Sequence, residues 1–451
     1  MSQFSRRKFI STAGAIAASS ILPQSCAVGS TAEITRPLPV GSSLNNNAIR
    51  LGFIALTDAA PLIIAQEKGY FQKHGLSQVE LVRQSSWEAT RDNLVRGGAA
   101  GGIDGAHILT PMPYLMTTGT ITVEQPLEMN ILARLNVNGQ GISLANIYSL
   151  LQNRLNSSQL KDAVERAKAK GPGRRLKVAM TFPGGTHDLW MRYWLAAGGI
   201  NPETDVAMFA VPPPQMVANM KTGTMHMLCV GQPWNAQIIR RKAGHSALTT
   251  GELWPDHPEK ALAMRADWVR GQSQEAKALL MAVLEAQIWC DEMSNKVEMC
   301  DIISASDYLD VPAKDIVERA KGNFDFGNGR VLTNSPHRMK FWQTGSPTGN
   351  ASYPYQSHDL WFLIENMRWG YLPMDTNAQA LIAKVNREDL WREAAIAIGK
   401  ASAIPKTTSR GIETFFDGIQ FDPSNPMAYL NSQPIKLASQ IGQLNQPVKS
   451  S

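Results

Sequence analysis

Hydrogen-bond donors recur in this sequence at the points where a strand gives way to a helix. Ser85-Ser86-Trp87 places an indole at a helix start, and Asn136-Val137-Asn138-Gly139-Gln140-Gly141 carries a side-chain amide in a turn-rich loop. In Pro183-Gly184-Gly185-Thr186-His187-Asp188, Thr186 can cap a helix and put His187 in its first turn. Gly231-Gln232-Pro233-Trp234 offers a glycine where backbone can approach a ligand closely, with proline at an early helix position. A fifth stretch, His257-Pro258-Glu259-Lys260, gathers charge at a proline turn just before an apolar strand, Ala261 to Met264. Each of the first four junctions can supply a donor, and none needs to supply a nucleophile. Taken singly, each also has a plain structural reading. Trp87 can be a packing residue, His187 a helix-start residue, Gln140 a solvated loop amide and Gly231 a relief of crowding. On the residues alone, the His257–Lys260 turn reads as solvated.

Signatures of bond-making chemistry are missing. There is no Gly-x-Ser-x-Gly elbow, no His-Glu-x-x-His and no Cys-x-x-Cys. The run Gly97-Gly98-Ala99-Ala100-Gly101-Gly102 lacks the Gly-Lys-Ser/Thr ending of a phosphate loop, and the eight histidines show no metal-ligand spacing.

The elements that must position the junctions alternate. Ile49 to Leu56, Val79 to Val82 and Gly102 to Ile108 read as strands, separated by helices from Ala59 to about His74 and from Trp87 to Val95. Met129 to Val137 is a strand leaving this lobe, followed by a poorly patterned insertion from Ser143 to Arg175. Alternation restarts with strands Leu176–Phe182, Val206–Val211 and His226–Val230, and helices Thr186–Ala197, Gln215–Lys221 and Trp234–Arg241. Beyond His257 the pattern is mostly helical: Gln274–Trp289, Ala313–Lys321, His358–Trp369 and Ala378–Ile398. Such alternation predicts α/β architecture with parallel sheets covered on both faces, in two lobes around a cleft. Lobe 1 is expected over residues 49–135 plus 246–451, and lobe 2 over 136–245. Open α/β sheets bind ligands at the carboxyl ends of their strands, which is where these donors stand.

The first residues set an expected location. Ser5-Arg6-Arg7-Lys8-Phe9-Ile10 is a twin-arginine pattern, and Phe9 to Leu22 is an apolar run too short to span a bilayer. Cys26 follows where an acylated cysteine would stand, so residues 1–25 read as a signal peptide and 26–48 as a lipid-anchored stalk. The expected location is the periplasmic face of the inner membrane. Three of the six net positive charges, Arg6, Arg7 and Lys8, belong to that leader. The remaining +3, spread along the chain, argues against nucleic acid and suits an anionic ligand. Cys229, Cys290 and Cys300 are expected as buried thiols, although a bend at Ser294-Asn295 would let the last two pair.

Longer stretches carry a resemblance. Leu51–Ala65, Gly102–Pro113, Ala133–Gly141, Ala179–His187, Ser352–Asp359 and Arg410–Gly418 resemble the nitrate/nitrite-binding lipoproteins of cyanobacterial ABC-type nitrate transporters, a similarity running from Leu51 to about Leu430. It implies a periplasmic-binding-protein fold of type II with additional C-terminal helices, no cofactor and no metal. It also implies partners in an ABC permease and its ATPase. The family's nitrate-binding residues match Trp87, Gln140, His187, Gly231 and Lys260. The related bicarbonate-binding branch carries an acidic residue in place of Lys260 and uses calcium, so it is the alternative reading. Two departures stand out: Gln232 replaces an acidic residue of the family, and the Ser143–Arg175 region differs. An enzyme on the same fold, such as a pyrimidine-precursor synthase, is disfavoured by the leader and the missing reactive set. A sensor domain of a transporter ATPase is disfavoured by the missing nucleotide loop.

The implied ligand fits the donors. Nitrate offers only acceptor oxygens, and its four heavy atoms supply about −6 kcal/mol even at roughly −1.5 kcal/mol each. Micromolar binding needs about −8 kcal/mol. Unit charges ~4 Å apart at an effective dielectric near 20 attract by about 4 kcal/mol, which makes the Lys260 ammonium the expected decisive group.

Overall fold

The computed structural model describes residues 48–122, 125–148, 154–343 and 349–437. The twin-arginine leader and Cys26 lie outside the described residues.

Two five-stranded sheets form the frame. The first has the order Val79–Gln84 (β2), Ile49–Ile54 (β1), Gly105–Leu109 (β3), Lys260–Arg265 (β10), Met129–Arg134 (β4). The second has the order Val206–Ala210 (β7), Leu176–Met180 (β6), Met227–Gly231 (β8), Gln140–Ala145 (β5), Gly244–Thr249 (β9). In each sheet three consecutive strands are parallel, as the alternation predicts. The sheets are nonetheless mixed rather than wholly parallel. Strand β10 runs antiparallel to β3 and β4, and β5 antiparallel to β8 and β9. The reason is the path of the chain, which crosses from one sheet to the other twice and enters each new sheet in the reverse direction.

That reversal places residues. An antiparallel strand begins at the edge where its parallel neighbours end. Gln140, first in β5, is therefore paired with Gly231, last in β8, and Lys260, first in β10, with Leu109, last in β3. The stretch expected as an insertion from Ser143 thus begins inside a central strand. Strand β9 belongs to the second sheet, so the return crossing spans 250–259, a few residues later than the expected boundary at 245.

Helices occupy the intervals that the apolar periodicity marks, with two interruptions. The helix expected from Ala59 to His74 is Ala60–Glu67 followed by Tyr70–Lys73, broken at Gly69, whose φ of 71° is left-handed. The helix expected over Ala378–Ile398 stops at Val385 and resumes at Glu388. Asn386 between them is extended, its amide donating to the Pro354 carbonyl and to Asp359, both at 2.7 Å. C-terminal helix Gln356–Arg368 packs its aromatics onto helix Thr186–Ala197, with Trp361 stacked on Trp190 at 5.0 Å between centroids. Cys229, Cys290 and Cys300 are buried free thiols, and burial pushes the Cys300 thiol up to about 12.

Candidate functional site

The carboxyl-terminal edges of the two sheets face one another, joined across the gap by short polar contacts. The Thr57 amide donates to the Gln232 carbonyl at 2.8 Å, and the Trp234 indole donates to the Ala55 carbonyl at 3.1 Å. In this gap all five expected site residues come together, each buried or at a strand end. Gln140 is the bridge: its amide nitrogen donates to Asp58 at 3.0 Å, and its oxygen accepts from His187 Nε2 at 2.7 Å. That bond fixes the imidazole tautomer, because Nδ1 then accepts from the Thr181 hydroxyl at 2.5 Å. Gly231 lies against the same amide; a β-carbon there would stand 2.7 Å from the Gln140 oxygen.

Lys260 is the centre of charge and is wholly buried, which removes the solvated-turn reading. Its ammonium meets Asp58 Oδ2 at 3.0 Å and Glu259 Oε1 at 2.9 Å. The Trp87 ring centroid is 5.9 Å from it. Ser86 caps the helix that begins with Trp87, accepting from the Ala89 amide at 3.1 Å, and so aims the indole inward. The Trp87 Nε1 is buried and has no hydrogen-bond partner among the described residues. A buried donor left unpaired costs about 1–3 kcal/mol, which an acceptor brought by a ligand would relieve.

Residues 42–304 match the NMT1-like family. Over 97% of this chain and the full length of the other, 56% of residues are identical to the nitrate/nitrite binding protein NrtA of Nostoc sp.. The chain belongs to the nitrate/nitrite-binding protein family. The crystal structure of the periplasmic nitrate-binding protein NrtA from Synechocystis PCC 6803 is similar with a TM-score of 0.82 and 58% identity, covering 86% of this chain and 98% of that one. The bicarbonate-binding protein CmpA of Synechococcus elongatus is more distant, at 42% identity over 96% of this chain and 98% of its own length.

Sequence reasoning left two carboxylates out of this member of the nitrate/nitrite-binding family. Asp58 follows β1 and obeys the same strand-end rule that selected the other junctions, so the signal was present. It accepts from His107 at 2.6 Å on Oδ1 and from Gln140 and Lys260 on Oδ2. Burial alone would raise its carboxyl, but the Lys260 ammonium and His107 outweigh burial and hold it well below the usual range. Glu259 accepts from Lys260, from the Thr186 hydroxyl and, at 2.9 Å, from the Trp190 indole. Burial dominates there, and its carboxyl is raised despite those donors. Lys260 itself is raised, because its two carboxylates outweigh its burial. Burial and the Lys260 ammonium push the His187 imidazole well below its ordinary value, so it is a neutral donor. The ammonium is thus already counter-charged, whereas the sequence left it unopposed.

The close approach at Gly231 makes a prediction. Gly231→Ala puts a methyl group against the Gln140 oxygen and 3.1 Å from a Leu56 methyl, so the amide must turn away. Titration calorimetry is expected to show nitrate binding weakened about tenfold with a stability loss near 1 kcal/mol. Equal affinity would mean that Gln140 does not touch the ion.

Proposed function

We propose that this chain is an extracytoplasmic solute-binding protein that captures nitrate, and nitrite with it, and hands the ion unchanged to an ABC permease driven by its ATPase. The observation that carries the reading is the buried, unpartnered Trp87 indole N–H beside the Lys260 ammonium. Gln140 and His187 are held within reach of the same pair. Trp87, Lys260 and the second N–H of the Gln140 amide then donate to the planar anion, His187 joins them by turning its one N–H from the Gln140 oxygen to the ion, and Gly231 leaves it room. The crossings at 135–139 and 250–259 serve as the hinge on which two lobes, residues 49–135 with the C-terminal part and the β5–β9 segment, close over the ion. The twin-arginine leader and lipid at Cys26 would hold the protein at the periplasmic face of the inner membrane. The family's membership and its 56% identity to a nitrate/nitrite binding protein support this choice over bicarbonate, whose named relative is 42% identical.

Isothermal titration with nitrate, nitrite and bicarbonate, with and without calcium, tests the reading. Micromolar nitrate binding indifferent to calcium is expected. Bicarbonate binding that requires calcium, with no heat from nitrate, would replace it with the bicarbonate function.

A further inference from the structure

Beside the gap lies a small cavity of about 20 Å³ whose lining includes residues that the capture described above does not use. One water needs roughly 10–15 Å³, so the cavity holds one small molecule or ion. Gln140 lies in its wall and also holds Asp58 and His187, so one side chain borders both chambers.

Arg319, from the helix Val317–Lys321, lines this cavity and is 8% exposed. Every other buried lysine or arginine among the described residues, from Arg134 to Arg368, has a carboxylate within ion-pair distance. Arg319 has none. Its Nη2 donates to the Asp325 backbone carbonyl at 2.7 Å, and its guanidinium lies 5.5 Å from the Phe324 ring centroid. The Asp325 carboxylate accepts instead from the Gly327 amide at 2.8 Å. Burial, only partly offset by the charge of Asp325, lowers the Arg319 guanidinium to about 10. A buried cation without a counter-charge costs several kcal/mol unless something pairs with it.

Other groups in the wall point the same way. Thr57 is buried, and among the described residues its hydroxyl has no hydrogen-bond partner; the side-chain oxygen of Gln232 is likewise unpartnered, and because an oxygen only accepts, Gln232 donates to an anion once its amide is turned over. Asp315, the acidic residue in the wall, is engaged by Arg240 and, at 2.8 Å, by the Gln237 amide. The wall therefore presents one unopposed cation, a free hydroxyl and an amide.

We propose that this cavity is an outer subsite for a small monovalent anion, held by Arg319 with Thr57 and Gln232 donating, from which the ion passes Gln140 to reach Lys260. The passage rests on the nitrate-capture reading; occupancy of the outer subsite does not.

Bromide, located by its anomalous scattering in crystals of the full chain, tests occupancy, and stopped-flow tryptophan fluorescence with nitrate tests passage. A bromide peak is expected within hydrogen-bond reach of Arg319, absent in Arg319→Gln and retained in Arg319→Lys. The nitrate association and dissociation rates are expected to fall together, about tenfold in Arg319→Gln and about threefold in Thr57→Val, because a subsite on the route speeds entry and exit alike and leaves the dissociation constant unchanged. A wild-type map without that peak overturns the proposal. So does a peak that survives in Arg319→Gln, which marks an adventitious ion only, or an association rate unchanged in both variants. If the chain binds no nitrate at all, the capture reading fails and the bromide peaks still decide the outer subsite.

Discussion

Lys260→Met is expected to weaken nitrate binding by roughly a thousandfold in isothermal titration. Methionine keeps the apolar stem out to Cε and removes the ammonium, its charge and its three N–H donors together. The attraction lost is about 4 kcal/mol at ~4 Å and an effective dielectric near 20, and each 1.4 kcal/mol is about tenfold in affinity. That loss alone accounts for the thousandfold, and stability suffers as well. Without the ammonium, Asp58 and Glu259 are buried carboxylates with no cation between them. An entering anion then meets repulsion where it met compensation. Breaking such a buried pair from one side costs about 3–5 kcal/mol of stability, and the variant can reduce this only by taking up a proton. Glu259 is the group to take it, since burial already raises its carboxyl. A group raised in the folded state contributes stability that is complete below its unfolded value and lost as pH rises through the folded one. The melting temperature of Lys260→Met, relative to wild type, is therefore expected to fall as pH rises above the ordinary carboxylate range. Unchanged nitrate affinity would remove the ammonium from the ion's first contacts.

The same two carboxylates show where the sequence was readable and where it was not. Trp87, Gln140, His187 and Gly231 stand at junctions that local patterns reveal, because an apolar run of strand length followed by Gly, Ser or Thr and a helix is a short-range signal. Lys260 is different. It begins an antiparallel strand, so its presence at the binding edge depends on the chain's second crossing, and that is a long-range fact. Local reading accordingly makes it a solvated turn, and only the family resemblance moved it into the site. Asp58 and Glu259 stood in view, one at a strand end and one in the charged turn, and were passed over for a related reason. A carboxylate beside an expected anion site looks misplaced until the 2.9 and 3.0 Å contacts to Lys260 show what it neutralises. The parallel pairing expected of the strands that alternate with helices is present, whereas β5 and β10 run antiparallel and carry no local mark of their direction. The helix breaks at Gly69 and Asn386 have a milder cause. Gly69 sits inside a continuous helical pattern that does not mark it, and Asn386 is drawn out by partners more than 25 residues away in sequence.

Asp58→Asn is expected to separate the two jobs that charge performs here, with opposite signs for stability and affinity. The substitution keeps the shape and removes one negative charge. Its amide oxygen can still accept from Gln140 and Lys260, while its NH₂ faces His107. The His107 Nδ1 is buried without a partner, so the ring can move its proton there and accept at Nε2. The hydrogen-bond pattern therefore survives, and the ion pair does not. Losing one carboxylate from a buried ammonium is expected to cost about 3 kcal/mol, the lower end for a broken buried pair. Unfolding entropy of about 2.1 cal/mol/K per residue makes that a fall of roughly 4 °C in melting temperature for roughly 400 residues. Nitrate should reverse this fall, because the ammonium now lacks the counter-charge that the anion can supply. In a thermal-shift titration the nitrate-induced rise should exceed that of wild type. Binding stabilises in proportion to the logarithm of ligand over dissociation constant, so a tenfold tighter site adds about 1.4 kcal/mol at saturating nitrate. A smaller rise than wild type would show that Asp58 serves chiefly to hold Gln140 and Lys260 in place, and that its charge is not what the anion competes with.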